Sequence, residues 1–122
     1  MSANPYETDL PITEANYQAL SPLSFLAKAA WTYPDYPSVI DGDARYTWAD
    51  THQRCLRLAS ALTKRGIGTG DTVSVMAPNV TAAFEATFGI PMTGGVINAL
   101  NYRLNATEIA FILDHGECKI LI

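Results

Sequence analysis

The residues best suited to chemistry in this 122-residue sequence follow a short apolar segment. The stretch GGVINALNYRL, residues 94–104, runs from small and apolar residues into two asparagines and Arg103. A guanidinium stays charged at any relevant pH, and its planar donors match the oxygens of phosphate groups. Arg103 is therefore a candidate anion-binding residue. The alternative is a surface arginine that pairs with Glu108 or packs its stem on Tyr102.

The other reactive side chains form no catalytic pattern. His52 and His115 have no serine or cysteine neighbour placed as a nucleophile pair, and no second ligand at metal spacing. Cys55 and Cys118 fall in separate predicted elements without metal-ligand spacing, which indicates reduced thiols and a cytoplasmic protein. The sequence therefore predicts no catalytic residue and no metal ligand in this chain.

The glycine-rich segment GIGTGD, residues 66–71, does not have the arrangement of a phosphate-binding loop. Such a loop needs the order strand, glycines, helix, so that the phosphate meets the helix N-terminus. Here the predicted order is helix, glycines, strand. We therefore expect a connecting turn rather than a nucleotide site at these residues.

Composition and charge indicate a folded chain and exclude some functions. Hydrophobic residues make up 48% of the sequence and charged residues 16%, which is typical of a globular domain. The 8 Lys and Arg against 12 Asp and Glu give a net charge of −4, and no basic run suggests a nucleic-acid surface. The first ten residues do not have the pattern of a signal peptide, and no apolar run approaches the roughly 20 residues that span a bilayer.

Capping residues predict where four helices begin. Each is a Ser, Thr or Asn whose side chain can accept a hydrogen bond from a free N–H of the first turn. These residues are Ser21 before Pro22, Thr47 with Asp50, Asn79, and Asn105 with Glu108. Residues 1–20 mix prolines, acidic residues and isolated aromatics, and we expect them to form an extended arm.

Strand patterns between these helices predict the fold class. A hairpin is expected at residues 38–46, and three further strands at 72–77, 96–100 and 118–122 alternate with the last two helices. This order predicts two βαβ units and a parallel sheet with covering helices, which is the α/β class. Parallel strands are normally covered on both faces, so we expect an incomplete part of a larger α/β protein. A complete small domain with a terminal edge strand is the alternative.

The order of these segments resembles the N-terminal region of AMP-forming acyl-CoA synthetases, which belong to a superfamily with luciferases and peptide-synthetase adenylation domains. The resemblance covers residues 20–122 and depends on a combination of short motifs. These are Tyr46-Thr47, Leu58-Ala59, Gly70-Asp71-Thr72-Val73, Pro78-Asn79 and Asn101-x-Arg103-Leu104-x-x-x-Glu108. The resemblance implies that residues 21–122 are the N-terminal portion of an AMP-binding domain, truncated, preceded by the arm.

The resemblance also implies a function for the parent protein. Such enzymes activate a carboxylic acid with ATP and Mg²⁺ to an acyl-adenylate, then transfer the acyl group to CoA; a small, medium-chain or fatty acid is implied here. Their phosphate loop, adenosine motif and C-terminal lysine are expected after residue 122. The chain alone is therefore expected to be inactive and to bind none of these cofactors tightly. Arg103 is implied as a contact to the nucleotide phosphate of CoA.

The expected partners follow from the unfinished sheet. Unpaired strand edges recruit other strands, so residues 118–122 or a neighbouring strand are expected to pair with the remainder of the same polypeptide or with a second copy. No nucleic acid and no membrane span are expected. A non-catalytic interaction or scaffold module, or a pseudo-enzyme, with the same fold is the alternative class of function.

Overall fold

The computed structural model describes residues 13–122, which form an α/β fold, so the predicted class is confirmed. Its elements in chain order are α1 Pro22–Thr32, β1 Pro37–Asp41, β2 Ala44–Thr47, α2 Trp48–Thr63, β3 Thr72–Val75, α3 Thr81–Gly89, β4 Val96–Ala99, α4 Ala106–His115 and β5 Cys118–Leu121. A single 3₁₀ turn, Pro91–Thr93, follows α3. The first twelve residues of the expected arm, 1–20, lie outside the described residues. None of the described helices is both long and apolar enough to cross a bilayer.

The strands form two sheets, as the sequence predicts. Strands β1 and β2 make an antiparallel hairpin, and the other three make a parallel sheet in the order β4-β3-β5. Strand β3 ends at Val75, two residues earlier than predicted. Its backbone pairing continues past that end, because Met76 N–H donates to the Ile122 carbonyl over 2.8 Å. Leu100 N–H likewise donates to the Val75 carbonyl just after β4 ends.

Three of the four predicted helix caps are confirmed. Ser21 caps α1. Thr47 Oγ1 accepts from Asp50 N–H over 3.1 Å, and the Asp50 carboxylate accepts from Thr47 N–H over 3.0 Å. Asn105 and Glu108 make the same reciprocal pair at the start of α4, with both distances 3.0 Å. Each pair satisfies two backbone donors that a helix start leaves free.

The fourth cap is wrong. Asn79 does not cap α3, because the N-cap position is Val80 and its side chain makes no capping hydrogen bond. The cap comes instead from the hairpin: the Asp41 carboxylate accepts from Thr81 N–H over 3.0 Å and from Thr81 Oγ1 over 2.8 Å. The acceptor is thus Asp41 of β1 and not the neighbouring Asn79, and a pattern of residues close in the chain could not reveal this cap.

Strand β3 is covered on both faces. On one face Val73 and Val75 belong to an apolar core that is completed by α2, α3 and the segments after them; its other members are Leu62, Ile67, Ala86 and Ile90. On the opposite face Ser74 is fully buried, and its hydroxyl accepts a hydrogen bond from Asn98. Gly116, at the end of α4, lies against that asparagine. Helices α3 and α4 therefore lie on opposite faces of the sheet.

Gly89 in α3 allows close contact with α2. A Cβ atom at Gly89 would lie 2.7 Å from Leu58 Cδ2 and 3.0 Å from Leu58 Cβ, which is shorter than van der Waals contact. We expect Gly89→Ala to lower the free energy of unfolding by about 1–3 kcal/mol, the usual cost of overpacking, despite the better helix propensity of alanine. Urea denaturation measures this cost.

A double-mutant cycle identifies the cause. In a Leu58→Ala background the two nearest obstructing atoms, Cδ2 and Cγ, are gone and only Cβ remains, so Gly89→Ala should cost less than in the wild type. Equal costs in the two backgrounds would show that the contact with Leu58 is not what excludes a side chain at residue 89.

Candidate functional site

Arg103 lies in the loop between β4 and α4, at the carboxyl end of the parallel sheet. Ligand sites of open α/β sheets form at this end of the strands. The loop is anchored at its start by Leu100, whose side chain is buried. It ends at Asn105, where the capping pair begins α4. The sequence therefore predicts the location of this loop correctly.

Local hydrogen bonds hold the backbone around Arg103. Arg103 N–H donates to Asn101 Oδ1 over 3.0 Å, and Leu104 N–H donates to the Asn101 carbonyl over 3.2 Å. The side chain of Asn101 thus closes a turn of its own backbone, as asparagine commonly does. The asparagine of the Asn-x-Arg-Leu motif, Asn101, has a structural role: it fixes the backbone position from which Arg103 projects.

The Arg103 side chain itself is exposed and rests on its neighbour. Its Cζ atom lies 5.5 Å from the centre of the Tyr102 ring, within the range of a cation–π contact. Glu108 is engaged by the Asn105 backbone, and neither of the two ion pairs within residues 13–122 involves Arg103. The packing on Tyr102 fits the surface alternative, yet the guanidinium donors remain open to an anion. Contact with CoA stays a prediction.

A groove of about 770 Å³ adjoins this loop and is called the hairpin groove below. Its walls are strand β1 of the hairpin, the start of α3, and the ends of β3 and β4; Asn101 and Tyr102 are part of its lining. The groove has the volume of a small-molecule site. Its lining is mainly apolar, with Ile40, Phe84 and Ile97 among its residues.

Two polar contacts hold the hairpin wall in place. Ser38 Oγ lies 2.6 Å from Thr51 Oγ1 of α2 and donates to backbone carbonyls of β2. At the other end of β1, the Asp41 carboxylate accepts the two hydrogen bonds from Thr81. The bond from the Thr81 backbone, followed by that from its hydroxyl, lowers the pKa of Asp41 below its ordinary value. The Asp41 side chain that binds the start of α3 is therefore the ionised carboxylate.

An ion pair that the sequence did not reveal joins α2 to α3. The Arg54 guanidinium donates to both carboxylate oxygens of Glu85, with Nη2 3.1 Å from Oε2, and stacks 4.8 Å above the Tyr46 ring centre. Glu85 is only 7% exposed. A buried carboxylate requires such a partner, because its desolvation is otherwise uncompensated. The pair has a structural role in this fold.

The remaining reactive residues of the described chain do not form a site. Cys55 is fully buried, and burial raises the pKa of its thiol to about 11, so it is protonated at neutral pH. His115 stacks on Phe111 at the end of α4. Within residues 13–122 no three His, Cys, Asp or Glu side chains are grouped to hold a metal ion. The glycine-rich turn is closed by Asp71, which accepts from Gly68 N–H over 2.9 Å.

The Asp41 contact predicts a pH-dependent stability. Because its pKa is lowered by folding, the stabilisation is present above the ordinary aspartate pKa of about 3.9 and is lost as the pH falls through the lower folded value. We expect Asp41→Asn to lower the melting temperature at pH 7. The gap between variant and wild type should shrink as the pH falls below about 4.

Asp43→Asn is the matched control, since Asp43 is exposed in the same turn, whereas Asp41 is the residue that accepts the hydrogen bonds from Thr81. Thermal melts at pH 7 and pH 3 are compared for the three proteins. A gap of the same size at both pH values would show that the Asp41 charge does not hold α3.

Comparisons with known proteins identify the family of this chain. A family model described as AMP-binding enzyme matches residues 26–122. Acetate/butyrate–CoA ligase AAE7 of Arabidopsis thaliana is 52% identical over 114 residues, and acetate–CoA ligase CCL3 of Humulus lupulus is 54% identical over 114 residues. Each match covers 93% of this chain and 20% of the relative. The chain thus spans about one-fifth of the length of these curated relatives.

The fold has a solved counterpart. The N-terminal domain of FACL13 from Mycobacterium tuberculosis superimposes with a TM-score of 0.78 and 30% identity, over 81% of this chain and 25% of that domain. The parallel sheet and its helices are therefore those found in the N-terminal domain of adenylate-forming enzymes. With the family match over residues 26–122, this chain belongs to the AMP-binding enzyme family.

Proposed function

We propose that this chain is the N-terminal part of an enzyme that joins a carboxylic acid to CoA by way of an acyl-adenylate made from ATP. The identity of 52% and 54% to two proteins named as acid–CoA ligases carries this proposal. Because the chain spans only a fifth of those proteins, the activity belongs to the whole protein, meaning the product of the full reading frame. The acids named for the two relatives are acetate and butyrate, which are short. A short acid and the medium-chain or fatty acid implied by the sequence are therefore both candidate substrates of the whole protein.

We assign Arg103 a contact with the nucleotide phosphate of CoA. Its guanidinium is exposed and has no ion pair within the described residues, while its backbone is held by Asn101. The planar donors of arginine suit phosphate oxygens, and the loop opens at the carboxyl end of the sheet. CoA, when bound, supplies the thiol that accepts the acyl group. The competing role for Arg103 is packing on Tyr102 at the surface.

ATP and Mg²⁺ are assigned to the whole protein rather than to this chain. Within the described residues the acidic, His and Cys side chains form no group of three that could hold a metal ion. In the glycine-rich turn of residues 66–71, Gly68 N–H donates a hydrogen bond to the Asp71 carboxylate and is not available to a ligand. We therefore expect the 122-residue chain alone to bind these cofactors weakly and to release no pyrophosphate.

The boundaries and location of the protein are also part of the proposal. We place an arm at residues 1–20 and the start of the AMP-binding domain at 21–122, supported by a family match that begins at residue 26. A cytoplasmic location competes with a peroxisomal one, since AAE7 is named as peroxisomal. Imaging of the tagged whole protein separates the two.

Two reactions of the whole protein test the assignment of Arg103. Acid-dependent exchange between ATP and pyrophosphate measures adenylation, the first step, which does not involve CoA. Formation of acyl-CoA measures the second step, the transfer of the acyl group to the CoA thiol. Arg103→Gln is expected to leave the exchange rate unchanged and to raise KM for CoA by about 10–100-fold, which corresponds to one charge-assisted hydrogen bond. The assay uses ATP, Mg²⁺, CoA and acids from acetate to a fatty acid.

Arg57→Gln is the matched control, because Arg57 is exposed on α2. It should change neither reaction. An unchanged KM for CoA in Arg103→Gln would show that Arg103 packs on Tyr102 at the surface and does not bind CoA. The proposed ligase activity of the whole protein would not be affected by that result. A folded whole protein that forms no acyl-CoA from any acid would instead favour the pseudo-enzyme or scaffold alternative.

A further inference from the structure

Arg103 is restrained at two points, one on its backbone and one on its side chain. The backbone is fixed by Asn101, whose Oδ1 accepts a hydrogen bond from Arg103 N–H over 3.0 Å. The side chain lies over the ring of Tyr102, with Cζ 5.5 Å from the ring centre. Because the guanidinium is the far end of a long and flexible side chain, the contact with the ring is what restricts the position of its charge.

The Tyr102 ring is carried by a backbone that is fixed on both sides. Leu100, two residues earlier, is buried, and its N–H donates to the Val75 carbonyl of β3 over 2.8 Å. Leu104 N–H, two residues later, donates to the Asn101 carbonyl over 3.2 Å. Tyr102 is 47% exposed and is part of the lining of the hairpin groove, so about half of its surface is covered by the protein. The ring can therefore act as a support for a neighbouring side chain.

An aromatic support leaves the charge of Arg103 available to a ligand. A carboxylate in the same place would compete with a bound phosphate, whereas the face of an aromatic ring attracts a cation without neutralising it. Glu108, the acidic residue of the same motif, is engaged by Asn105 N–H over 3.0 Å. Neither of the two ion pairs within residues 13–122 involves Arg103. Within that part of the chain, the guanidinium is thus restrained by the ring and has no acidic partner.

This restraint lowers the entropic cost of binding an anion. A freely moving arginine must lose side-chain entropy when an anion fixes it, and a side chain already held in place loses less. We infer that Tyr102 is a positioning residue, whose ring holds the Arg103 guanidinium for the 3′-phosphate of CoA. Tyr102 would thereby contribute to a preference for CoA over dephospho-CoA, which lacks this phosphate. The inference rests on the proposed contact between Arg103 and CoA.

Equilibrium binding to the whole protein tests the inference. Isothermal titration calorimetry gives the Kd for dephospho-CoA and the Kd for CoA, and the first divided by the second measures the preference for the 3′-phosphate. Tyr102→Leu should reduce this ratio about 2–5-fold, the size of an exposed cation–π contact, by weakening the binding of CoA alone. Tyr102→Phe keeps the ring and should retain the wild-type ratio. Should Tyr102→Leu fail to fold, Tyr102→Met removes the ring with an unbranched side chain.

A double-mutant cycle separates the support of Arg103 from a direct contact with the ligand. In an Arg103→Gln background no guanidinium remains to be held, so Tyr102→Leu should leave the ratio unchanged. Tyr17→Leu is the matched control, because Tyr17 lies before α1 and is 57% exposed, much as Tyr102 is. It should change the ratio in neither background. An equal loss of affinity for CoA and dephospho-CoA in Tyr102→Leu would overturn the inference, since the ring would then contact a part that both ligands share.

Failure of the inference differs from failure of the proposed function. If Arg103→Gln loses the preference for CoA and Tyr102→Leu keeps it in full, the inference is wrong and the contact between Arg103 and CoA is not affected. If the wild type has no preference, or Arg103→Gln keeps it, both the contact and the inference are wrong. The expected ratios in a whole protein that forms no acyl-CoA would support the inference and remove the proposed ligase function.

Discussion

The central strand β3 is the constraint on which the rest of the described structure depends. Its residues Val73 and Ser74 are fully buried, and both of its edges are paired, to β4 and β5. A parallel strand needs cover on both faces, and α3 and α4 provide it from opposite sides. The chain must therefore cross from β4 over β3 to β5, which places the loop with Arg103 at the carboxyl end of the sheet.

Polar contacts between residues far apart in the chain then join the hairpin and helix α2 to α3, beside that sheet. Asp41 ties the hairpin to the start of α3, and Arg54 ties α2 to the middle of α3 through Glu85. Both contacts engage ionised groups, which gives them direction and strength that neutral contacts lack. The hairpin groove lies beside the first of these contacts, since Asp41 and Thr81 are both part of its lining.

Sequence patterns predicted the contacts that form between residues close together in the chain. Thr47 with Asp50 and Asn105 with Glu108 are separated by three residues, so their reciprocal bonds are legible from the sequence. The cap of α3 was not, because Asp41 lies 40 residues before Thr81. The partner of Arg54 lies 31 residues away, so the sequence near Arg54 gives no sign of a buried pair. For Arg103, the motif predicted the loop in which it lies, because Asn101 and the capping pair that bound this loop are close to it in the chain.

The most direct test of the account compares CoA with dephospho-CoA, which lacks the nucleotide 3′-phosphate, in the wild-type whole protein and in Arg103→Gln. The measured quantity is kcat/KM for each thiol at saturating ATP and acid. We expect the wild type to prefer CoA by about 10–100-fold, the value of one charge-assisted contact, and Arg103→Gln to lose this preference. The same preference for CoA in both proteins would contradict it, because the phosphate would then be bound elsewhere.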